Sequence, residues 1–308
     1  MDVRSSLLAR GPFVTDGGLE TDLISHRGVE LPAFAAFPLV EDEPGRAVLR
    51  GYYGEYAEIA RRAGAGLILE SPTWRANPDW GATLGYDAGA LDLVNRASVE
   101  LLSALRDEYA VPHTLISGAI GPRGDGYLAG EAMEPDEAAR YHGAQVESLA
   151  AAGADVVSAY TLTGPEEAVG VLRAARRVGV AVAISFTVEI DGRLPDGTPL
   201  GQAIDLVDAD DGGPDWYLVN CAHPTHVEPG LTEDGRWQTR IAGLLPNAST
   251  LTHAQLDAAV ELDEGDPAEL ASATDRLRPL LPGLTILGGC CGTDARHVAA
   301  LWGVPRPV

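Results

Sequence analysis

Eight short apolar runs rich in β-branched residues recur along the chain, separated by segments with helical periodicity, and this alternation limits the fold more than any other feature. The runs span 12–18, 65–74, 113–122, 154–162, 180–188, 216–222, 239–247 and 284–292. Between them lie segments such as 43–64 and 134–153; the second opens on proline and acids and closes on glycine, as helices do. Strands joined through helices pair in parallel, because the crossover brings the chain back in the same direction. Eight such units predict an α/β fold, a closed (β/α)8 TIM barrel that takes the whole chain, 1–308, as a single domain. An open doubly wound sheet is the competitor, but no G-x-G-x-x-G follows the first run to mark a dinucleotide site.

In a barrel of this kind the carboxyl ends of the strands form the active face, so polar residues ending different runs are expected to converge. Charge narrows what they do there. The net charge is −23, and all 22 basic residues are arginine. A chain without lysine is excluded from Schiff-base aldolase, pyridoxal-phosphate and P-loop chemistry, each of which needs one at its centre. Such an acidic surface also repels nucleic acid and anionic lipid, which bind clustered positive charge. No run of 18 apolar residues occurs, and the first fourteen residues lack the apolar stretch of a secretion signal, so a cytoplasmic location is expected.

In a reducing compartment the three cysteines read as metal ligands or nucleophiles rather than as disulfide partners. Cys221 ends the sixth run, and Cys290 and Cys291 end the eighth, so all three belong at the rim. Three thiolates are a suitable ligand set for Zn²⁺, and a fourth position left open would make the site catalytic. Gly288 and Gly289 are expected to turn the backbone so that both neighbouring cysteines face inward. The alternatives are small buried apolar side chains or a vicinal disulfide. His223 and His226 lie close to Cys221 and are candidate further ligands, with a supporting role as the default.

The ordered motifs "DGGLETDL" (16–23), "ISGAIGPRGDGY" (116–127), "SFTV" (185–188), "DGTPL" (196–200), "VNC" (219–221), "PNAS" (246–249) and "GGCCG" (288–292) together resemble the homocysteine S-methyltransferase family. That family includes enzymes using betaine or S-methylmethionine and the homocysteine module of cobalamin-dependent methionine synthase. The resemblance runs from about residue 12 to residue 300 and implies a zinc barrel. In it Cys221, Cys290 and Cys291 hold the metal and the substrate thiol takes the open position. It implies an S-methyltransferase acting on two small molecules, moving a methyl group from a sulfonium or quaternary ammonium donor to homocysteine and making methionine. The chemistry is consistent, since the thiolate is the nucleophile and a free thiol near pKa 8.5 is mostly protonated at neutral pH.

Asp16, with the backbone of Gly17, and Glu20 are candidates for meeting the amino group of an amino-acid substrate, although Glu20 also suits a helix start. Asn220, beside Cys221, is a candidate for the substrate site and for supporting the metal ligands. Family members carry a glutamate before the threonine that ends strand four, where it binds the homocysteine amino group; here Tyr160 stands in that place. A phenol offers no negative charge at neutral pH, so the charge has to come from elsewhere, with Glu70 and Glu189 as candidates. Tyr160 leaves open another thiol, a selenol or another methyl donor on the same scaffold, or a non-catalytic thiol- or zinc-binding protein. Trp74, Trp80 and Tyr86 follow the second run, where aromatic faces would hold an onium cation. The sequence leaves self-assembly into an oligomer open.

Overall fold

The computed structural model describes residues 7–130, 133–232 and 235–307; residues 1–6, part of the amino-terminal stretch read above, lie outside it. Each of the eight runs contains one strand: β1 (Phe13–Val14), β2 (Gly66–Glu70), β3 (Thr114–Ile120), β4 (Val156–Leu162), β5 (Ala181–Phe186), β6 (Trp216–Asn220), β7 (Ile241–Leu245) and β8 (Ile286–Leu287). Every strand pairs in parallel with the next, and β8 closes on β1 through Phe13 with Ile286 and Val14 with Leu287. The chain therefore forms a (β/α)8 TIM barrel, as the alternation predicts.

Helices cover the outside and read as their sequences suggest. In the helix Glu43–Ala63 the Asp42 carboxylate accepts from the Gly45 N–H at 2.8 Å, and Gly64 ends the helix at φ +63°. Its tyrosines reach down to the barrel mouth: Tyr52 Oη donates to Asp16, and Tyr53 Oη donates to the Glu70 carbonyl at 2.6 Å. Both faces of the sheet are buried, which accounts for the near-continuous apolar strands.

The period of two sorts side chains between barrel interior and helix layer. Along β2, Leu67 and Leu69 pack outward while Ile68 faces in; along β4, Val157 and Ala159 pack outward while Val156 and Tyr160 face in. The same alternation carries Glu70 at the end of β2 and Asn220 at the end of β6 to the inner side. Large Phe13 and Trp216 are offset inside by Ala119, Ala181, Ala183 and Ala242, so the interior is filled and the open space is at the mouth. Among the described residues no helix is long and apolar enough to cross a membrane.

Candidate active site

Cys221 follows β6 directly, and Cys290 and Cys291 lie in the turn after β8. Their sulfurs all lie within 4.8 Å of one another, close enough to hold a metal ion together. Cys221 and Cys290 are joined as a disulfide with Cα atoms 5.3 Å apart, while Cys291 is free with its sulfur 3.8 Å from that of Cys221. The expectation of three unpaired thiols is corrected here: sulfurs gathered within reach of one ion are also within reach of each other. Burial pushes the Cys291 thiol up to about 11.

Cys221 sits at φ +54°, a left-handed conformation unfavourable for a residue with a side chain. Its surroundings enforce it. The Cys221 carbonyl accepts from Asn247 Nδ2 at 3.0 Å and lies 2.9 Å from His253 Nε2, and the His253 ring stacks on Tyr127 at 4.2 Å. Asn220 locks the other side: its Oδ1 accepts from the Thr161 N–H at 2.9 Å and the Ser185 hydroxyl at 2.6 Å. Its Nδ2 donates to Thr161 Oγ1 at 2.9 Å and faces Cys290 Sγ at 3.6 Å.

The two glycines before the cysteines have a different cause from the one expected. Neither adopts a positive φ. A Cβ on Gly288 would come within 2.4 Å of Thr15 Cγ2, and one on Gly289 within 2.0 Å of Thr293 Oγ1. Close approach of the β1 end requires Gly288, and the turn that folds Thr293 back onto the chain after β8 requires Gly289. The first motif is matched to the same seam, since a Cβ on Gly17 would meet the Thr293 carbonyl at 2.8 Å and one on Gly18 the Cys290 carbonyl at 2.5 Å.

The cysteines line a cavity of about 550 Å³ together with buried acids. Asp16 accepts from Thr15 and Tyr52, both at 3.2 Å; burial, and then the nearby Glu70 charge, hold its carboxyl well above the ordinary range. Burial also raises Glu70 and Glu20, each to about 7. Tyr160 Oη donates to Glu70 Oε1 at 2.6 Å, and Glu70 Oε2 is buried without a hydrogen-bond partner among the described residues. A pocket that keeps acids buried this way suits a ligand that brings positive charge.

The family model described as Homocysteine S-methyltransferase matches residues 13–303, nearly the whole chain. The chain belongs to the homocysteine S-methyltransferase family. It is accordingly an S-methyltransferase. The Homocysteine S-methyltransferase of Escherichia coli is 27% identical over 97% of both chains, and Homocysteine S-methyltransferase 4 of Zea mays is 23% identical over 95% of this chain and 89% of its own. The fold is shared with the Homocysteine Methyltransferase MmuM from Escherichia coli. Its oxidized form gives a TM-score of 0.77 at 24% identity and its metallated form 0.76 at 21%, each covering 98% of this chain and 99% of that one.

Eight residues singled out from the sequence line the same cavity of this S-methyltransferase: Cys221, Cys290 and Cys291, with Asp16, Gly17, Glu20, Tyr160 and Asn220. Of the two acids weighed against Tyr160, Glu70 is beside it, whereas Glu189 lies 3.0 Å from His253 Nδ1 and does not line the cavity. His223 and His226 are also outside the lining; the first caps a short helix at Thr225 and the second reaches the Thr250 carbonyl. The onium cage is not formed as expected. Tyr86 packs on Phe37 and bonds Glu41, and the Trp74 and Trp80 faces are covered by Arg75. Tyr127 and Asn247 fall within two of the motifs quoted above, but their part around Cys221, like that of His253, arises from contacts between distant segments.

Proposed function

We propose that this enzyme transfers a methyl group from a sulfonium or quaternary ammonium donor to the thiol of homocysteine, giving methionine, with Zn²⁺ held by Cys221, Cys290 and Cys291. What carries the reading is the meeting, in one cavity, of three cysteine sulfurs with the buried acids Asp16 and Glu70. The donor set fits the ion: three cysteine sulfurs within 4.8 Å of one another would, once the Cys221 to Cys290 bond is reduced, offer the soft ligands that zinc takes. When bound, zinc supplies a Lewis acid that ionises the acceptor thiol at neutral pH and fixes its sulfur.

The remaining work falls to the chain. Asp16 and Glu70, both lining the cavity, take the acceptor ammonium, and Tyr160 fixes the Glu70 carboxyl by donating to Oε1. Glu70 on β2 thereby supplies the charge that Tyr160 on β4 lacks, which keeps homocysteine as the acceptor. Glu20 adds negative potential at the wall, where the donor cation enters. Asn220 holds the Cys290 sulfur and the Thr161 backbone in register. Displacement of a methyl group from an onium donor needs no protein base; the barrel mouth supplies proximity, alignment and exclusion of water. The whole chain serves as one domain on this reading.

Metal analysis under reducing conditions tests it. The wild type is expected to carry about one zinc per chain and to methylate homocysteine from one of a panel of sulfonium and ammonium donors. Cys290→Ser loses both. Undiminished activity in protein stripped of zinc overturns the metal assignment.

A further inference from the structure

The aromatic shelf after β2 is occupied by the chain's own cation. The Arg75 guanidinium carbon lies 3.7 Å from the Trp80 ring centre, 4.9 Å from Trp74 and 5.9 Å from Phe34. A guanidinium held against rings uses its faces for stacking and keeps its N–H edge free for a planar acceptor. Yet that edge has nothing to bind. Among the described residues no atom accepts a hydrogen bond from Arg75, no carboxylate stands within ion-pair distance of it, and its buried Nε is unpartnered. Its acidic neighbours Glu20 and Asp125 act only through space.

Arg75 lines the same cavity as Asp16, Glu70 and the three cysteines. Leaving guanidinium donors half-buried and unpaired is costly, and a charged acceptor removes the cost. The acids on the wall are candidates for an ammonium group. An amino acid also carries a negative end, which those acids repel, so a cavity that selects amino acids needs a cation fixed apart from its acids.

We propose that Arg75 is a carboxylate-binding residue, whose guanidinium edge donates to the carboxylate of an amino-acid substrate in the cavity and makes the enzyme select substrates that carry one. This rests on the reading of the site as one for an amino-acid thiol and its methyl donor. The carboxylate belongs either to the acceptor or to the sulfonium donor, and the shelf expected to hold an onium group becomes the anion-reading wall. A bidentate fork separates a carboxylate from its isosteric carboxamide, which offers one acceptor and no charge.

Calorimetric titration of the zinc-loaded protein tests this without turnover, using two acid and amide pairs: homocysteine with its carboxamide, and S-methylmethionine with its carboxamide. The wild type is expected to bind the acid of one pair about 10- to 100-fold more tightly than the amide. In Arg75→Met that ratio falls to near one while affinity for the amide is kept, and Arg75→Lys, which keeps charge without the fork, lies between. The pair whose ratio collapses identifies whose carboxylate is held. An unchanged ratio for both pairs in Arg75→Met overturns the proposal. So does an equal loss for acid and amide, which would make Arg75 a general counter-charge, or a folded wild type that binds neither acid. Absence of methyl transfer in a wild type that still prefers the acid counts against the proposed reaction and not against Arg75.

Discussion

The phenol of Tyr160 donates a 2.6 Å hydrogen bond to Oε1 of Glu70, joining the inward-facing ends of β4 and β2 across the barrel mouth. The bond favours the ionised carboxylate, opposing the burial that lifts Glu70 to about 7.

Tyr160→Phe removes that donor, so the Glu70 pKa rises further. The acid limb of the pH profile of kcat/KM for homocysteine, which reports the free enzyme, is expected to move up by about one unit, equivalent to roughly 1.4 kcal/mol. Zinc content should not change, because Tyr160 touches no cysteine. An acid limb that stays in place, measured across pH 5.5–8.5, would reduce the pair to packing.

Glu70→Gln isolates the cost of burying the acid. A carboxyl raised from 4.5 to about 7 holds its proton in the folded state when the unfolded chain has already released it. Its contribution to stability is therefore fully present below about pH 4.5 and is lost as pH rises through 7. The total is roughly 3 kcal/mol. Thermal unfolding should show the wild type losing stability relative to Glu70→Gln between pH 4.5 and 7.5, with homocysteine restoring it. Parallel pH curves for the two proteins would contradict this.

The barrel and the cysteine trio were legible because they follow from period-two strands and from where those strands end. Other features are properties of distant contacts. Gly288 reads as a turning residue, but its requirement comes from Thr15, just past the end of the neighbouring strand β1 and 273 positions away (288 − 15). The rings of Trp74 and Trp80 are visible in the sequence, whereas their capture by Arg75 depends on how the loop folds back. Thr161 and Cys221 take left-handed backbone conformations that no residue type there announces, and the network of Asn220, Asn247 and His253 that enforces one of them spans three segments.

Asn220→Ala tests that network from the inside. The side chain bonds Thr161 and Ser185 and faces Cys290, so its loss frees one of the three proposed metal ligands to move without removing any. Zinc affinity, measured against a competing chelator, is expected to fall about 10- to 100-fold. Asn220→Asp keeps the acceptor but loses both Nδ2 donations, to Thr161 and toward Cys290, and should fall between. Wild-type affinity in Asn220→Ala would show that the ligands hold themselves.

The Cys221 to Cys290 bond makes a last expectation countable. A mild oxidant such as diamide takes two electrons from these two thiolates, which join as a disulfide and, on the proposed zinc assignment, would no longer be available to the metal, while the diazene is reduced to the hydrazine. One of the three thiols then remains, Cys291. A single thiol cannot keep a catalytic zinc that needed three. Oxidation should therefore lower the titratable thiols from three to one per unfolded chain, release one zinc, and abolish methyl transfer in step. Excess dithiol with added zinc should restore all three. Cys291→Ser should still form the bond, leaving no free thiol, whereas Cys221→Ser should lose the zinc site without forming the 221–290 pair. Zinc release that runs ahead of thiol loss, or activity that survives at one thiol per chain, would separate the disulfide from the metal site and sink the idea that they are two states of the same sulfurs.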